Sequence, residues 1–236
     1  MSRRFLTITL ATVALCGCAS RTEWREVLYQ SFQTGALSAT VEIEAGSRWV
    51  PLGWESLPPP TDDAAARWTI ARWDGGNDRR TVNRTYLVTN GNGLPGCWLT
   101  KVLAFEVGPD FDLQCVWVTL GGPAALTLRV VNDTGHGYEG TISLGVTEAR
   151  NAIRRVSSAG VSPASISTPS LPGPERLQWY RPQLTLRGGT LILSLDGREI
   201  TRARNVDPQT FTAVQFSSGQ RVFLDDFEMW GTAHSR

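Results

Sequence analysis

The chain has 236 residues, with 23 basic and 22 acidic side chains and a formal charge of +1. A balance that close to neutral gives no electrostatic case for a nucleic-acid partner, whose binders cluster positive charge. The length allows one large core, since all-β sandwiches of 200–250 residues fold as a single domain.

The N-terminus reads MSRRFLTITLATVALCGCAS. Arg3 and Arg4 precede an apolar run from Phe5 to Leu15, which is the layout of a secretion signal. The run is too short to span a bilayer, which takes about 20 apolar residues. Leu15-Cys16-Gly17-Cys18 resembles the lipobox of bacterial lipoproteins. The resemblance implies that residues 1–17 are removed and that Cys18 carries the lipid. Loss of Arg3 and Arg4 takes the formal charge from +1 to −1. Neither Ala19 nor Ser20 is an aspartate, so retention at the inner membrane has no signal. The expected location is the cell envelope, lipid-anchored, at the outer membrane. A tether of residues 18–23 would lead into a domain over 24–232, with a tail at 233–236.

Two further cysteines, Cys97 and Cys115, remain. In an oxidising compartment such a pair points to a disulfide rather than a metal site. The loop it closes is worth roughly 3 kcal/mol in the chain-entropy model.

Residues 56–66 hold Pro58-Pro59-Pro60 and read as a loop. Strand patterns then dominate. Lys101–Val107 and Phe111–Leu120 flank Gly108-Pro109-Asp110 and read as a hairpin. Phe111, Leu113, Cys115 and Trp117 alternate with Asp112, Gln114, Val116 and Val118. Both faces are apolar around Trp117, which marks a central strand. Tyr138, Gly140, Ile142 and Leu144 oppose Glu139, Thr141 and Ser143. Each is the period-2 signature of a strand with one face on a core. Val146–Val156 is the one stretch compatible with a short helix, and 157–174, rich in Ser and Pro, reads as a long surface loop. Leu184–Arg187, Thr190–Leu195 and Arg198–Thr201 are separated by Gly188-Gly189 and Asp196-Gly197, which tolerate the positive φ of two-residue turns. They predict a three-stranded meander.

Val50-Pro51-Leu52-Gly53-Trp54, Trp68-Thr69-Ile70, Asp110 to Leu113, Gly137 to Ile142, LQWYRPQLTLRGGTLILSLDGREI and VFLDDFEMWG follow in that order. The order resembles bacterial concanavalin A-like jelly rolls of the laminin-G-like and 3-keto-disaccharide hydrolase-domain type. The resemblance implies an all-β, two-sheet antiparallel jelly-roll sandwich. A departure is Trp179-Tyr180, where that family usually has tryptophan-histidine.

Sugar rings present apolar faces fringed by hydroxyls, so a sugar site needs aromatics beside Asp, Asn, Gln and Arg. Five of the nine tryptophans fall between Trp49 and Trp98. Trp73, Asp74, Asn77 and Trp49 are the candidate ligand residues, while Trp54 and Trp68 match packing positions. Retaining glycosidases need two carboxylates about 5–5.5 Å apart, a scale met by i, i+2 pairs on a strand. Glu42 and Glu44, or Asp226 and Glu228, meet it; solvated strand faces carry such pairs often as well. His136 reads as a solvated turn residue and His234 as part of the tail. In relatives of this fold an acid on the last strand helps hold calcium, which makes Asp225 and Asp226 candidate ligands; no other cofactor is implied. Three functions remain open: an anchored carbohydrate or cell-surface-ligand binder without catalysis, a glycoside-cleaving enzyme acting on 3-keto-glycosides or glucans, and a structural envelope protein.

Overall fold

The computed structural model describes residues 23–30, 54–57, 68–72, 86–89, 97–119, 121–175 and 178–234. Residues 1–17 and the candidates Cys18, Glu42, Glu44, Trp49, Trp73, Asp74 and Asn77 lie outside the described residues. In chain order the strands are β1 (Glu23–Gln30), β2 (Trp54–Leu57), β3 (Thr69–Arg72), β4 (Tyr86–Thr89), β5 (Trp98–Val118), β6 (Ala124–Val131), β7 (Gly137–Leu144) and β8 (Arg150–Ser157). They continue with β9 (Gly160–Pro163), β10 (Thr168–Pro169), β11 (Trp179–Tyr180), β12 (Pro182–Arg187), β13 (Thr190–Leu195), β14 (Arg198–Ala203), β15 (Phe211–Ser217) and β16 (Phe223–His234). Every ladder between these strands is antiparallel.

The strands form an all-β antiparallel jelly-roll sandwich. One layer runs β2, the first half of β5, β15, β6, β7 and β8, with β9 and β10 on the far edge of β8. The other runs β14, β13, β12, the second half of β5, β16 and β1. β5 therefore belongs to both layers. It pairs with β15 over Trp98–Val107 and with β16 over Glu106–Val118. The expected hairpin at Gly108-Pro109-Asp110 is corrected: the chain turns a corner there without reversing. Gly108 has φ 149°, and a Cβ on it would sit 2.5 Å from the carbonyl oxygen of Gln209. A sequence shows that the chain must bend at such a residue, while the direction depends on which neighbour each half finds. Gly108→Ala is expected to cost about 2–3 kcal/mol through that backbone clash; a urea titration showing an unchanged midpoint would remove this explanation of the corner.

The alternating patterns are realised as read. Phe111, Leu113, Cys115 and Trp117 are buried on one face of β5, and Val116 and Val118 are buried on the other, consistent with its central place. The meander stands as β12–β13–β14, with Gly188, Gly189, Asp196 and Gly197 all at φ between 51° and 77°. Between the layers, Phe216 on β15 meets Trp54 on β2 and Phe227 on β16, with ring centroids 6.0 and 4.9 Å away. Phe111 meets Phe211 edge-on at 5.2 Å. Gly140 on β7 lies under Leu184 and Leu193 of the opposite layer, where a Cβ would come within 2.7 Å of a Leu193 methyl.

Other expectations are corrected. The helix expected in Val146–Val156 is β8, because Gly137–Thr141 of β7 offers a complete ladder to Ala152–Val156; a tertiary ladder outweighs the few tenths of a kcal/mol of helix propensity. The presumed loop 157–174 contains β9 and β10, which cover the edge of β8. Asn151 fixes that cover, its Oδ1 accepting from Ser143 N at 2.7 Å and its Nδ2 donating to Pro169 O at 2.5 Å. Proline suits such an edge because it has no N–H to offer a further strand. Of the loop placed at 56–66, Ser56 and Leu57 belong to β2, and residues 58–66 lie outside the described residues. Of the tail placed at 233–236, Ala233 and His234 belong to β16, with His234 hydrogen-bonded to the Gly108 carbonyl at 2.8 Å, and residues 235–236 lie outside the described residues. Finally, Cys97 and Cys115 are buried thiols with no disulfide between them. Both face the core, where cysteine packs as a small apolar side chain, and burial pushes the Cys115 thiol well up from its ordinary pKa.

Candidate functional site

Directly opposed residues of an antiparallel ladder point to the same face. Register therefore assembles the outer face of the β5–β15–β6–β7–β8 layer from single positions on separate strands. Glu55, Thr100, Gln215, Arg129, Glu139 and Arg154 form one continuous row across it. Trp98, Ser217, Thr127, Thr141 and Ala152 form the next row.

Glu139 is the centre of the first row. Its side chain is only 6% exposed, and Arg129 reaches Oε2 with both Nε (3.0 Å) and Nη2 (2.6 Å). Arg154 donates Nη1 to Oε1 at 3.3 Å. A carboxylate so nearly removed from water needs this pairing, because an uncompensated buried charge costs several kcal/mol. The Arg129 guanidinium also lies 3.6 Å from the ring centroid of half-buried Trp98, a cation–π stack that holds both groups flat. Around them, Gln215 Nε2 donates to Thr100 Oγ1 at 3.2 Å, and the Thr127 and Thr141 hydroxyls sit 3.0 Å apart. A recess of about 230 Å³ opens over this ground, lined by Trp98, Thr127, Arg129, Glu139 and Ser217 among others. Arg154 is 39% exposed, so its remaining donors face solvent.

Such a surface offers planar donors at fixed angles, hydroxyls and an indole flank. It can read a hydroxyl-rich ligand by directed hydrogen bonds without a reorganisation cost, because the guanidiniums are already tied in place.

The sequence-derived candidates fare differently. Asp226 and Glu228 do not stand in the uninterrupted two-residue alternation from which a carboxylate pair was expected. A β-bulge between Asp225 and Glu228 breaks the two-residue alternation, Asp226 is buried at φ 43°, and Glu228 accepts from Gln114 Nε2 at 2.6 Å, its direct cross-strand partner on β5. Asp225 and Asp226 are adjacent and buried, but no three His, Cys, Asp or Glu side chains among the described residues come together as a metal site. Trp54 and Trp68 are packing residues as expected, both in the core. Tyr180 packs against Trp117 at 5.7 Å, so the departure from tryptophan-histidine fills a core position. His136 is exposed in a turn organised by Asn132, whose Oδ1 accepts from the backbone of Thr134 and His136 and from the Thr134 hydroxyl. The residues of the row, Arg129, Glu139 and Arg154, and the flanking Trp98 were not among those candidates.

No family model and no curated protein matches this chain. Among solved structures it is similar to domain 4 of AbnA, an extracellular arabinanase of Geobacillus stearothermophilus, in complex with arabinotriose: 12% identity, TM-score 0.49, covering 90% of this chain and 95% of that one. It is similar to a family 16 endo-glucanase of Bacteroides ovatus at 10% identity and TM-score 0.49, covering 79% and 98%. It is also similar to the carbohydrate-binding module CBM66 of Bacillus subtilis at 14% identity and TM-score 0.43, covering 77% and 93%. Those ligands and activities belong to those proteins.

Proposed function

We propose that this chain is a lipoprotein of the bacterial envelope, anchored at the outer membrane through Cys18, whose jelly roll binds a carbohydrate without cleaving it. The observation that carries the ligand is the row Arg129–Glu139–Arg154 with Trp98 stacked beside it. Fixed charge-assisted donors next to an indole suit pyranose or furanose rings, which present hydroxyls at the rim and C–H bonds on the face. The near-neutral charge of the whole chain speaks for a neutral glycan over a polyanion. The anchor rests on the lipobox resemblance at Leu15–Cys18.

The spacing of the carboxylates on this row, among the described residues, supports binding without hydrolysis. Glu139 is tied by two arginines, and the next one, Glu55, is four strands away, roughly 19 Å at the usual strand spacing. Glycosidic chemistry needs its pair within about 10 Å.

The test is a glycan array probed with the mature chain in detergent, followed by titration of the best glycan. Arg154→Ala removes exposed donors while leaving Glu139 with Arg129. It is expected to weaken that glycan at least tenfold with the melting temperature nearly unchanged. Affinity equal to the parent would contradict the placement of the ligand on this row.

A further inference from the structure

The opposite face of the sandwich carries a different feature. Trp24 and Tyr29 on β1 and Trp230 on β16 are 41%, 55% and 39% exposed. Pairing of Trp24 with Thr232, Glu26 with Trp230 and Tyr29 with Glu228 puts all three aromatics on the outer face of the second layer. Leu28 and Met229, opposed to each other, point inward. The Arg187 guanidinium lies 3.7 Å from the Trp24 ring centroid and 2.7 Å from Asp112 Oδ2, which places a cation at the margin of the strip.

We propose that this strip is a membrane-contact surface: Trp24, Tyr29 and Trp230 seat in the headgroup region of the bilayer that holds Cys18. The inference rests on the lipid anchor proposed above and adds an orientation to it. Six residue steps separate Cys18 from Trp24, and six extended steps reach at most about 22 Å. A domain of this size has a diameter of about 40 Å. The tether is thus shorter than the body it holds, and the face on which β1 starts must stay beside the membrane. Tryptophan and tyrosine are the side chains enriched at membrane–water interfaces, with the ring in the apolar boundary and the N–H or O–H in the wet layer. Arg187 beside Trp24 suits the phosphate layer. Seated this way, the two-layered body turns the Arg129–Glu139–Arg154 row away from the bilayer and leaves it open.

The experiment uses the acylated mature chain reconstituted in phosphatidylethanolamine–phosphatidylglycerol vesicles, part of the lipid carrying bromine on its acyl chains. Bromolipid is expected to quench up to the share of two of the nine tryptophans, and a Trp24→Phe, Trp230→Phe double variant is expected to lose that quenching while still floating with the vesicles. A spin label at Tyr29→Cys checks the same face without touching the tryptophans, and should be more accessible to oxygen than to an aqueous nickel reagent. Acylated protein with no bromolipid quenching, or equal quenching in the double variant, overturns the proposal. So does emission from Trp24 and Trp230 that responds to a soluble oligosaccharide and not to bromolipid, which would make the strip a second glycan face. Mass spectrometry of the N-terminal peptide separates the two claims: an unacylated Cys18 removes the anchor and the orientation together, whereas an acylated chain with unquenched tryptophans removes the orientation alone.

Discussion

Phe216→Ala is expected to lower the stability of the chain by about 3–5 kcal/mol, the range for truncating a fully buried phenylalanine. Phe216 is wholly buried on β15, the strand between β5 and β6. Its ring meets Trp54 from β2 of the same layer and Phe227 from β16 of the other, and those two meet each other at 4.8 Å. Removing it strips the shared partner from a three-ring contact and leaves a void that rigid backbones on both sides cannot close. Urea denaturation should show a midpoint lower by roughly 1–2 M with an unaltered slope. A midpoint within 0.3 M of the parent, an order-of-magnitude bound on a core effect, would mean that the layers are not held together here.

Arg129→Met is expected to destabilise by about 3 kcal/mol and to abolish glycan binding. The substitution leaves Glu139 buried with the single, half-exposed Arg154 guanidinium at 3.3 Å in place of two, and a carboxylate in that position costs several kcal/mol. It also removes the cation stacked on Trp98, worth about 1 kcal/mol. The companion Arg129→Met, Glu139→Leu double variant deletes both charges. It should recover most of the lost stability, because a buried ion pair exchanged for apolar side chains of like volume is close to neutral, yet binding should stay absent. Recovery of stability and binding together would show that the pair is dispensable for the ligand. No loss in the single variant would show that Glu139 is not held as the geometry states.

The fold was largely legible because each strand advertises its own inner face. The alternation through Phe111, Leu113, Cys115 and Trp117 needs no partner to be recognised, and the two-residue turns at Gly188-Gly189 and Asp196-Gly197 fix the meander locally. The corner at Gly108 depends on a partner distant in the chain, and the strand in place of the helix at Val146–Val156, with β9 and β10 beside it, depends on which neighbouring segments pair and not on the pattern of either alone. The site was hidden for the same reason. Arg129, Glu139 and Arg154 stand 10 and 15 residues apart and look like ordinary polar positions of three strands. Only register makes them neighbours. One clue was present: the turn Asn132–His136 closes β6 onto β7 symmetrically, so that Val131 opposite Gly137 forces Arg129 opposite Glu139. An opposite-charge pair at that offset marks the row. The cysteines misled because compartment, not geometry, suggested the bond, and two core-facing thiols look the same in sequence as two half-cystines.

Hydrogen exchange of the mature chain with and without the best array glycan reads the ligand face directly. Slowed exchange is predicted at Thr127–Arg129, Glu139–Thr141 and Ala152–Arg154, the segments of β6, β7 and β8 that build the row. Protection confined instead to β1 and β16, or to the cleft of about 670 Å³ between Thr168–Gly173 and Asp196–Ile200, would contradict it.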